Sequence, residues 1–589
     1  MSPWRPHSAQ NGRRLRVKRG CGPSRSEARF LCNPDQDTLL WSGSEIKESA
    51  AGVLSRDRER NGRVQCKMAF PVEKLDLELA LKRVKSDLNT ARSFIESPLE
   101  IELVDADQAT WLSQLSEKIA AGYRPHSAVI ADIPKGNGAV RPAALLNLED
   151  RVVYASAVGA LLSAINLGLG WSQGKVDFSY RLSESVRRVE WFTNRFNGWS
   201  AFRKVSVERI DNGAAHVVLT DITGFYENID LTVLFSDLRT LGADSDVIQL
   251  LQLCLNRWAV VPNRGVPQGL SASDVLAKVY LNPIDQAMAD MQVDFIRYVD
   301  DIRIFCSDVP ACKKALMSLI RSLRRRGLNL QSAKTEIVSA AEAKAIIEGI
   351  APIITDVQKQ YRDFLIKTME SINPYMTIED LDDKVSPDDA PVEVVREVFR
   401  QKFIDAPGKF NKTLFHFLIN RLRAQSDDYA LAYCLEHLAT QPQETQSLLD
   451  YIGAVGTFPR DFTPIESFLQ SPDCMYDYQV YQIFRWLHSL GSPPSVGLIT
   501  VARLITFDNA RAFYLRAVCR LILQTHGSMA DLERLEAGYG EVHNELERAQ
   551  VLVSIKRLEV GRRNAFYGRV SGDGQLCERA IRMVKEQRL

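Results

Sequence analysis

FIRYVDDIRIFC, residues 295–306, sets two aspartates, Asp300 and Asp301, side by side between two apolar, β-branched stretches. The arms have the composition of buried strands, and the centre has the length of a tight hairpin turn. Aspartate is a common turn residue and tolerates left-handed backbone. Taken alone, the doublet reads equally well as a turn or as a doubled charge delivered to a fixed place. The remainder of the chain separates the two.

Upstream, HVVLTDITGFYENID (216–230) carries a β-branched run into Asp221, followed by the aromatics Phe225 and Tyr226. An apolar strand ending in a carboxylate presents it at the edge of a sheet, although Asp221 by itself also fits a cap for the segment that follows. With Asp300 and Asp301 it makes three carboxylates on two buried β elements, an expensive cluster of like charge unless cations share it. Divalent metals with oxygen ligands meet that need, and Mg²⁺ keeps waters and binds substrate phosphates. Two such ions about 4 Å apart clamp the attacking and leaving oxygens of a phosphoryl displacement. Between these elements, RGVPQGLSASDVLAKVYL (264–281) closes a loop at Pro267-Gln268-Gly269 and opens a helix at Ser271. Asp274 fits there as a first-turn acid favoured by the helix dipole, and Gln268 with its neighbouring backbone fits the wall of a nucleotide pocket.

Asp221 with Tyr226 five residues on, then PQG, then YVDD: this order resembles the palm of reverse transcriptases. LNLQSAKTEI (328–337) resembles the next palm motif, with Lys334 in its lysine position. IPKGNGAVRPAALLNLEDRVVYASAV (133–158) resembles the fingers, and DFSYRL (177–182) another block of the bacterial enzymes. The likeness spans roughly residues 120–340, and YVDD in place of the GDD usual in viral RNA polymerases favours RNA-directed DNA synthesis.

What this implies, position by position, is a two-metal nucleotidyltransferase using Mg²⁺, with Mn²⁺ able to substitute. Asp221 and Asp300 would be ligands of both ions and Asp301 a more peripheral one. Lys135 and Arg141 would hold the triphosphate, against the plainer reading of a solvated loop. Tyr226 would stack under the sugar as a gate against a 2′-hydroxyl, against the plainer reading of a core aromatic. Gln268 would contact the incoming nucleotide or the template. Lys334 would protonate or neutralise the departing pyrophosphate, unless it is an ordinary surface lysine. The implied partners are deoxynucleoside triphosphates and nucleic acid, as RNA template, DNA product or both.

Charge is distributed unevenly. Residues 1–67 hold 14 Lys/Arg against 7 Asp/Glu, a local net of +7, which leaves the other residues at −6. A nucleic-acid surface therefore has to be local rather than a property of the whole chain. The first 67 residues are rich in Arg, Gly, Ser and Pro without apolar periodicity, the pattern of a disordered basic extension. Met68 opens MAFPVEKLDLELALKRVKSDL, which reads as a natural start, so the extension is also explained by a start codon assigned too far upstream. The ten cysteines are scattered without a CxxC, no apolar run reaches the roughly 18 residues of a membrane span, and a cytoplasmic, membrane-free protein is the expectation.

Fingers are expected over 68–215, the palm over 216–342, a thumb-like segment over 343–378 and an acidic linker, EDLDDKVSPDDAP, over 379–391. Beyond it, TLFHFLINRLRA, YALAYCLEHLA, YQVYQIFRWLHSL and ARAFYLRAVCRLIL all carry helical spacing, which predicts an all-α helical-repeat domain over 392–589 or a plain helical bundle. The expected fold is thus an α+β right-hand polymerase, with fingers and a ferredoxin-like palm, followed by that all-α domain. No second sheet with carboxylates for RNase H follows the palm, and no cysteine pairs of an HNH endonuclease. Palm plus long helical module most resembles the abortive-infection and other defence-associated bacterial reverse transcriptases, some of which work without a template, prime on a protein hydroxyl and form oligomers. A retron- or maturase-like enzyme copying a dedicated RNA is the alternative within the class. A silent palm serving as a scaffold for a partner-binding helical module is the alternative outside it.

Overall fold

The computed structural model describes residues 70–90, 95–136, 138–193, 197–349, 392–405, 410–455 and 461–588. The expected basic extension, the acidic linker and the thumb-like segment from residue 350 onward lie outside the described residues. In chain order, α1 (Leu77–Thr90), α2 (Glu100–Asp105) and α3 (Gln108–Ala120) precede an antiparallel hairpin of β1 (Val129–Pro134) and β2 (Val140–Leu145). Then come α4 (Leu148–Leu169), the short pair β3 (Arg181–Leu182) and β4 (Phe192–Thr193), and α5 (Asn197–Asp211).

A central sheet follows. It is built from β5 (His216–Asp221), then α6 (Phe225–Asn228), α7 (Leu231–Thr240), α8 (Ser245–Trp258) and α9 (Ser271–Asp290), then β6 (Phe295–Tyr298) and β7 (Asp301–Cys306), α10 (Val309–Arg324), β8 (Glu336–Ser339) and α11 (Ala340–Glu348). The strands lie in the order β6-β7-β5-β8, with every pairing antiparallel. Strand, helices, hairpin, helix, strand is the ferredoxin-like succession.

Both faces of this sheet are covered. Val218, Ile302, Ile304 and Phe295 enter the large core with α4, α8, α9 and α10, while Val217, Ile296 and Phe305 pack with Phe202 of α5 and Ile347 of α11. That is why the strands read as continuous apolar runs instead of alternating. Arg303 of β7 is buried as well: its guanidinium lies 4.0 Å over the Phe202 ring and donates to Ser206 Oγ at 2.7 Å.

Among the described residues, α4 is the one helix with the length and composition to cross a membrane. Its apolar residues Val152, Val153, Tyr154, Val158, Leu161, Leu162 and Ile165 are buried in the same core as α1, α8 and α9, as expected for a helix apolar on all sides. Contrary to the expectation from the sequence, 152–169 is a charge-free stretch of 18 residues; its polar members Ser156, Ser163 and Asn166, and not the charged Glu149, Asp150 and Arg151 before it, are what break its apolar run.

The described residues from Val392 onward are helical, in helices of 8 to 14 residues such as Val392–Phe399, Asp477–Ser489 and Phe513–His526. This module is not an appendage. Its main core takes in Ala131 of β1, Leu145 of β2 and Ile95. The Tyr481 hydroxyl accepts from the Glu96 backbone N–H at 3.0 Å and donates to its carbonyl at 2.9 Å. Further along, Leu103 of α2 joins the core of the last helices, and Gln550 donates to the Pro98 carbonyl at 2.7 Å.

Candidate active site

At the C-terminal end of β5 the register sets Asp221 opposite Asp301, the first residue of β7. Asp300 sits in the turn between β6 and β7, with its carbonyl accepting from Ile222 N–H at 3.2 Å. The turn is not shaped by its aspartates. The left-handed residue is Val299, at φ +55°, followed by one that is not left-handed, the sign pattern of a type II′ hairpin. A β-branched residue in that region is strained, so the doublet owes its position to a valine held against its preference.

Burial first, and then the Asp221 charge, push the Asp300 carboxyl up to about 6; burial likewise raises Asp301. A short 3₁₀ turn, Ser332–Lys334, is tied to the end of β5 through Gln331 N–H donating to the Asp221 carbonyl at 2.8 Å. It brings Lys334 Nζ to 2.5 Å from Asp221 Oδ2. Burial works against the Lys334 charge, but the hydrogen bond to Asp221 and the charges of Asp221, Asp300 and Asp301 together outweigh it and hold the ammonium above its ordinary value.

Lys135 and Arg141 come from the β1–β2 hairpin. Lys135 N–H donates to the Ala139 carbonyl at 2.7 Å, and Gly138, at φ +77°, supplies the left-handed residue that closes the loop. Gln268 precedes Gly269, at φ +88°, and donates to Glu227 at 3.3 Å. The strand-like pairing of Val266 N–H with the Tyr226 carbonyl, 3.0 Å, places that loop beside α6. All eight residues singled out from the sequence, Lys135, Arg141, Asp221, Tyr226, Gln268, Asp300, Asp301 and Lys334, line one cleft of about 850 Å³.

Seven further residues of consequence stand outside those eight, among them Asp274, which the sequence offered only as a first-turn acid of its helix. Tyr180 and Tyr298 also line the cleft, their rings meeting edge to face at 5.8 Å. Asp274 accepts the Tyr226 hydroxyl at 2.7 Å, and burial followed by this charge raises the Tyr226 hydroxyl well above its usual value. Behind the hairpin, Arg297 of β6 is 2% exposed and pairs with Asp285 at 2.7 Å and Asp177 at 3.0 Å. Its guanidinium also reaches the Val299 carbonyl at 3.5 Å. Lys278 of α9 completes a charge-balanced set at 2.5 Å from Asp177. Burial alone would raise the Asp177 carboxyl, yet Arg297 and Lys278 outweigh it and hold it low. A sequence signal existed in DFSYRL and in the arginine inside an apolar strand, but neither names its partner.

Among the described residues, no group of three or more His, Cys, Asp or Glu side chains stands assembled as a metal cage. Mg²⁺ does not require one, since it uses one or two protein carboxylates and completes its shell with water and phosphate. Asp221 and Asp300 fit that demand: one carboxyl is pushed up by burial and then by its like-charged neighbour, and the other is already paired with a lysine cation.

Residues 133–369 match the family model described as Reverse transcriptase (RNA-dependent DNA polymerase). This part of the chain is thereby marked as an RNA-directed DNA polymerase, a nucleotidyltransferase. A curated relative, protein YkfC of Escherichia coli (strain K12), is 25% identical over 194 residues, 31% of this chain and 47% of its own length. The chain thus spans about half the length of that relative. Among solved structures, truncated apo telomerase from Candida tropicalis aligns at 14% identity over 36% of this chain and 50% of its own, with a TM-score of 0.28. Telomerase from Candida albicans with a fragment of telomeric RNA aligns at 13% identity over 62% of this chain and 70% of its own, also at 0.28. Superpositions at that score add nothing about the fold.

Proposed function

We propose that the chain as a whole is a reverse transcriptase that extends DNA from deoxynucleoside triphosphates, acting in the cytoplasm in defence against phage. The observation that carries the reading is the convergence of the eight motif residues, from five separate segments, on one cleft. Asp221, Asp300 and, more peripherally, Asp301 would hold two Mg²⁺ ions, which when bound activate the attacking hydroxyl and neutralise the departing pyrophosphate. The chain's own residues do the positioning. Lys135 and Arg141 grip the triphosphate from the hairpin, Tyr226 lies under the sugar, and Gln268 lines the base side. Lys334 exchanges Asp221 for the pyrophosphate as it forms, so that one cation serves the resting and the reacting site.

We read the helical module as a repeat scaffold that takes part in synthesis, with priming on one of its tyrosine hydroxyls. Of the nine tyrosines of the module that merit consideration, Tyr451, Tyr478, Tyr481, Tyr514, Tyr539 and Tyr567 are at most 4% exposed. Tyr429 and Tyr433 are half-buried within an aromatic cluster around Phe399. Tyr476 is also half-buried, but its hydroxyl lies 3.4 Å from the Gly138 carbonyl in the hairpin loop that supplies Lys135. That adjacency favours Tyr476 as the initiating hydroxyl.

The test is incubation of the purified chain with labelled deoxynucleotides in Mg²⁺, followed by denaturation, proteolysis and peptide mapping. Label should appear in polymer, should vanish in Asp300→Asn/Asp301→Asn, and should be attached to the Tyr476 peptide. Incorporation at near wild-type rate in the double variant overturns the site. Label that separates entirely from protein overturns the priming reading alone.

A further inference from the structure

Tyr226 sits in a weak piece of secondary structure. α6 is four residues long, opens on Gly224 at φ +51° and runs into extended backbone at Ile229. A single helical turn has too few hydrogen bonds to fix a side chain by itself. Packing on one side comes from the Phe225 ring, 5.4 Å away and tilted. At the far end of the Tyr226 ring, the hydroxyl donates to Asp274 Oδ1 at 2.7 Å.

Asp274 stands on firmer ground. It lies in the first turn of α9, a 20-residue helix whose neighbouring residues Ser271, Ala272, Ser273, Val275 and Leu276 are buried. The start of that helix is itself anchored: Ser271 donates to Asp87 of α1 through its backbone N–H at 3.1 Å and its hydroxyl at 2.6 Å, and Ser273 Oγ meets the Tyr154 hydroxyl at 2.9 Å. A carboxylate accepting from a phenol in a part-buried site is among the stronger neutral-to-charged hydrogen bonds.

We propose that Asp274 is a positioning residue for sugar discrimination: it fixes the Tyr226 ring across the cleft by its hydroxyl, and so sets how closely the ring approaches the 2′ position of an incoming nucleotide. The inference rests on Tyr226 being the sugar gate. With the hydroxyl anchored, the ring blocks the space a 2′-hydroxyl would take; released, it swings on χ1 and χ2 and the space opens. Discrimination then depends on a residue 48 positions away in sequence that does not act on the nucleotide itself.

The experiment compares kcat/KM for a deoxynucleotide and its ribonucleotide counterpart in Tyr226→Val, Tyr226→Phe, Asp274→Ala, Asp274→Asn and the Tyr226→Phe/Asp274→Ala pair. Tyr226→Phe, which keeps the ring and deletes only the anchor, should lower the deoxy-to-ribo ratio on the order of tenfold. Asp274→Ala should do the same, the pair should do no worse than either alone, and Asp274→Asn, whose amide oxygen still accepts, should restore most of the ratio. The ribonucleotide KM should fall more than its kcat rises, a split that general loosening of the fold does not produce.

An unchanged ratio in Tyr226→Val means the gate reading is wrong. A changed ratio in Tyr226→Val with an unchanged one in Tyr226→Phe leaves the gate and overturns the anchor. A shift in Asp274→Ala without one in Tyr226→Phe assigns Asp274 to direct contact with substrate, which also overturns it. Should the Asp274 variants fail to fold by circular dichroism, Tyr226→Phe decides the matter alone.

Discussion

Val299 shows how a residue's environment overrides its preference. Its left-handed backbone costs of order 1–3 kcal/mol, and the Arg297 guanidinium beneath its carbonyl holds the turn in place. Val299→Gly should raise the thermal midpoint by the equivalent of about 1 kcal/mol, because strain is relieved by more than glycine's extra chain entropy costs. Nucleotide incorporation should fall nonetheless, since the turn would present Asp300 less firmly; a calorimetric scan and a turnover assay on one preparation check both. Arg297→Met should cost about 3–5 kcal/mol, because Asp285 is left buried without its bidentate partner, and Arg297→Lys should recover part of that in a urea titration. At this scale the sequence was a good guide to the residues of the cleft, because Asp221, PQG, the doublet and Lys334 occur in a telling order. It was a poor guide to what supports them. Arg297 looks like the solvent-facing member of a strand until Asp177, 120 residues upstream, comes to lie against it.

Elements were legible where periodicity was strong. β5, β6, β7 and the helices of the C-terminal third appear where apolar spacing placed them. What spacing leaves out is which element caps which. Glu100, in the first turn of α2, accepts Leu148 N–H at 2.8 Å and so caps α4 from another helix. Burial raises its carboxyl to about 7. Between the ordinary carboxylate value and about 7 the folded chain holds a proton the unfolded chain has lost, so this group's contribution to stability declines as pH rises through that window. Glu100→Gln keeps the acceptor and removes the titration. Its thermal midpoint should match wild type near pH 4.5 and exceed it at pH 8 by the equivalent of at most about 3 kcal/mol. Equal pH profiles in the two proteins would place the titration elsewhere. The β1–β2 hairpin offers a second check. Ala131 is 2% exposed in the core it shares with the helical module, so Ala131→Glu should undock the hairpin. The expected signature is a rise in deoxynucleotide KM on the order of tenfold with helical content by circular dichroism retained.

For the whole molecule, the informative fact is where the cores divide. One core unites the central sheet with α1, α4, α8 and α9, and another joins the hairpin to the helices beyond Val392. An apolar helical face in the sequence announces that something will cover it without saying what, which is why the docking of Ala131, Leu145 and Ile95 could not be read in advance. Ending the chain at residue 391 should therefore expose that joint and give insoluble or inactive protein. Supplying residues 392–589 as a second polypeptide during expression should recover soluble material that co-purifies, measured by tag pull-down. The hairpin that bears Lys135 and Arg141 thus belongs to the helical module as much as to the cleft it serves. Thermodynamic reciprocity attaches a consequence to that shared ownership. Any molecule that grips the helical module and tightens nucleotide binding through the hairpin must itself be held more tightly, by the same factor, whenever a nucleotide is in place.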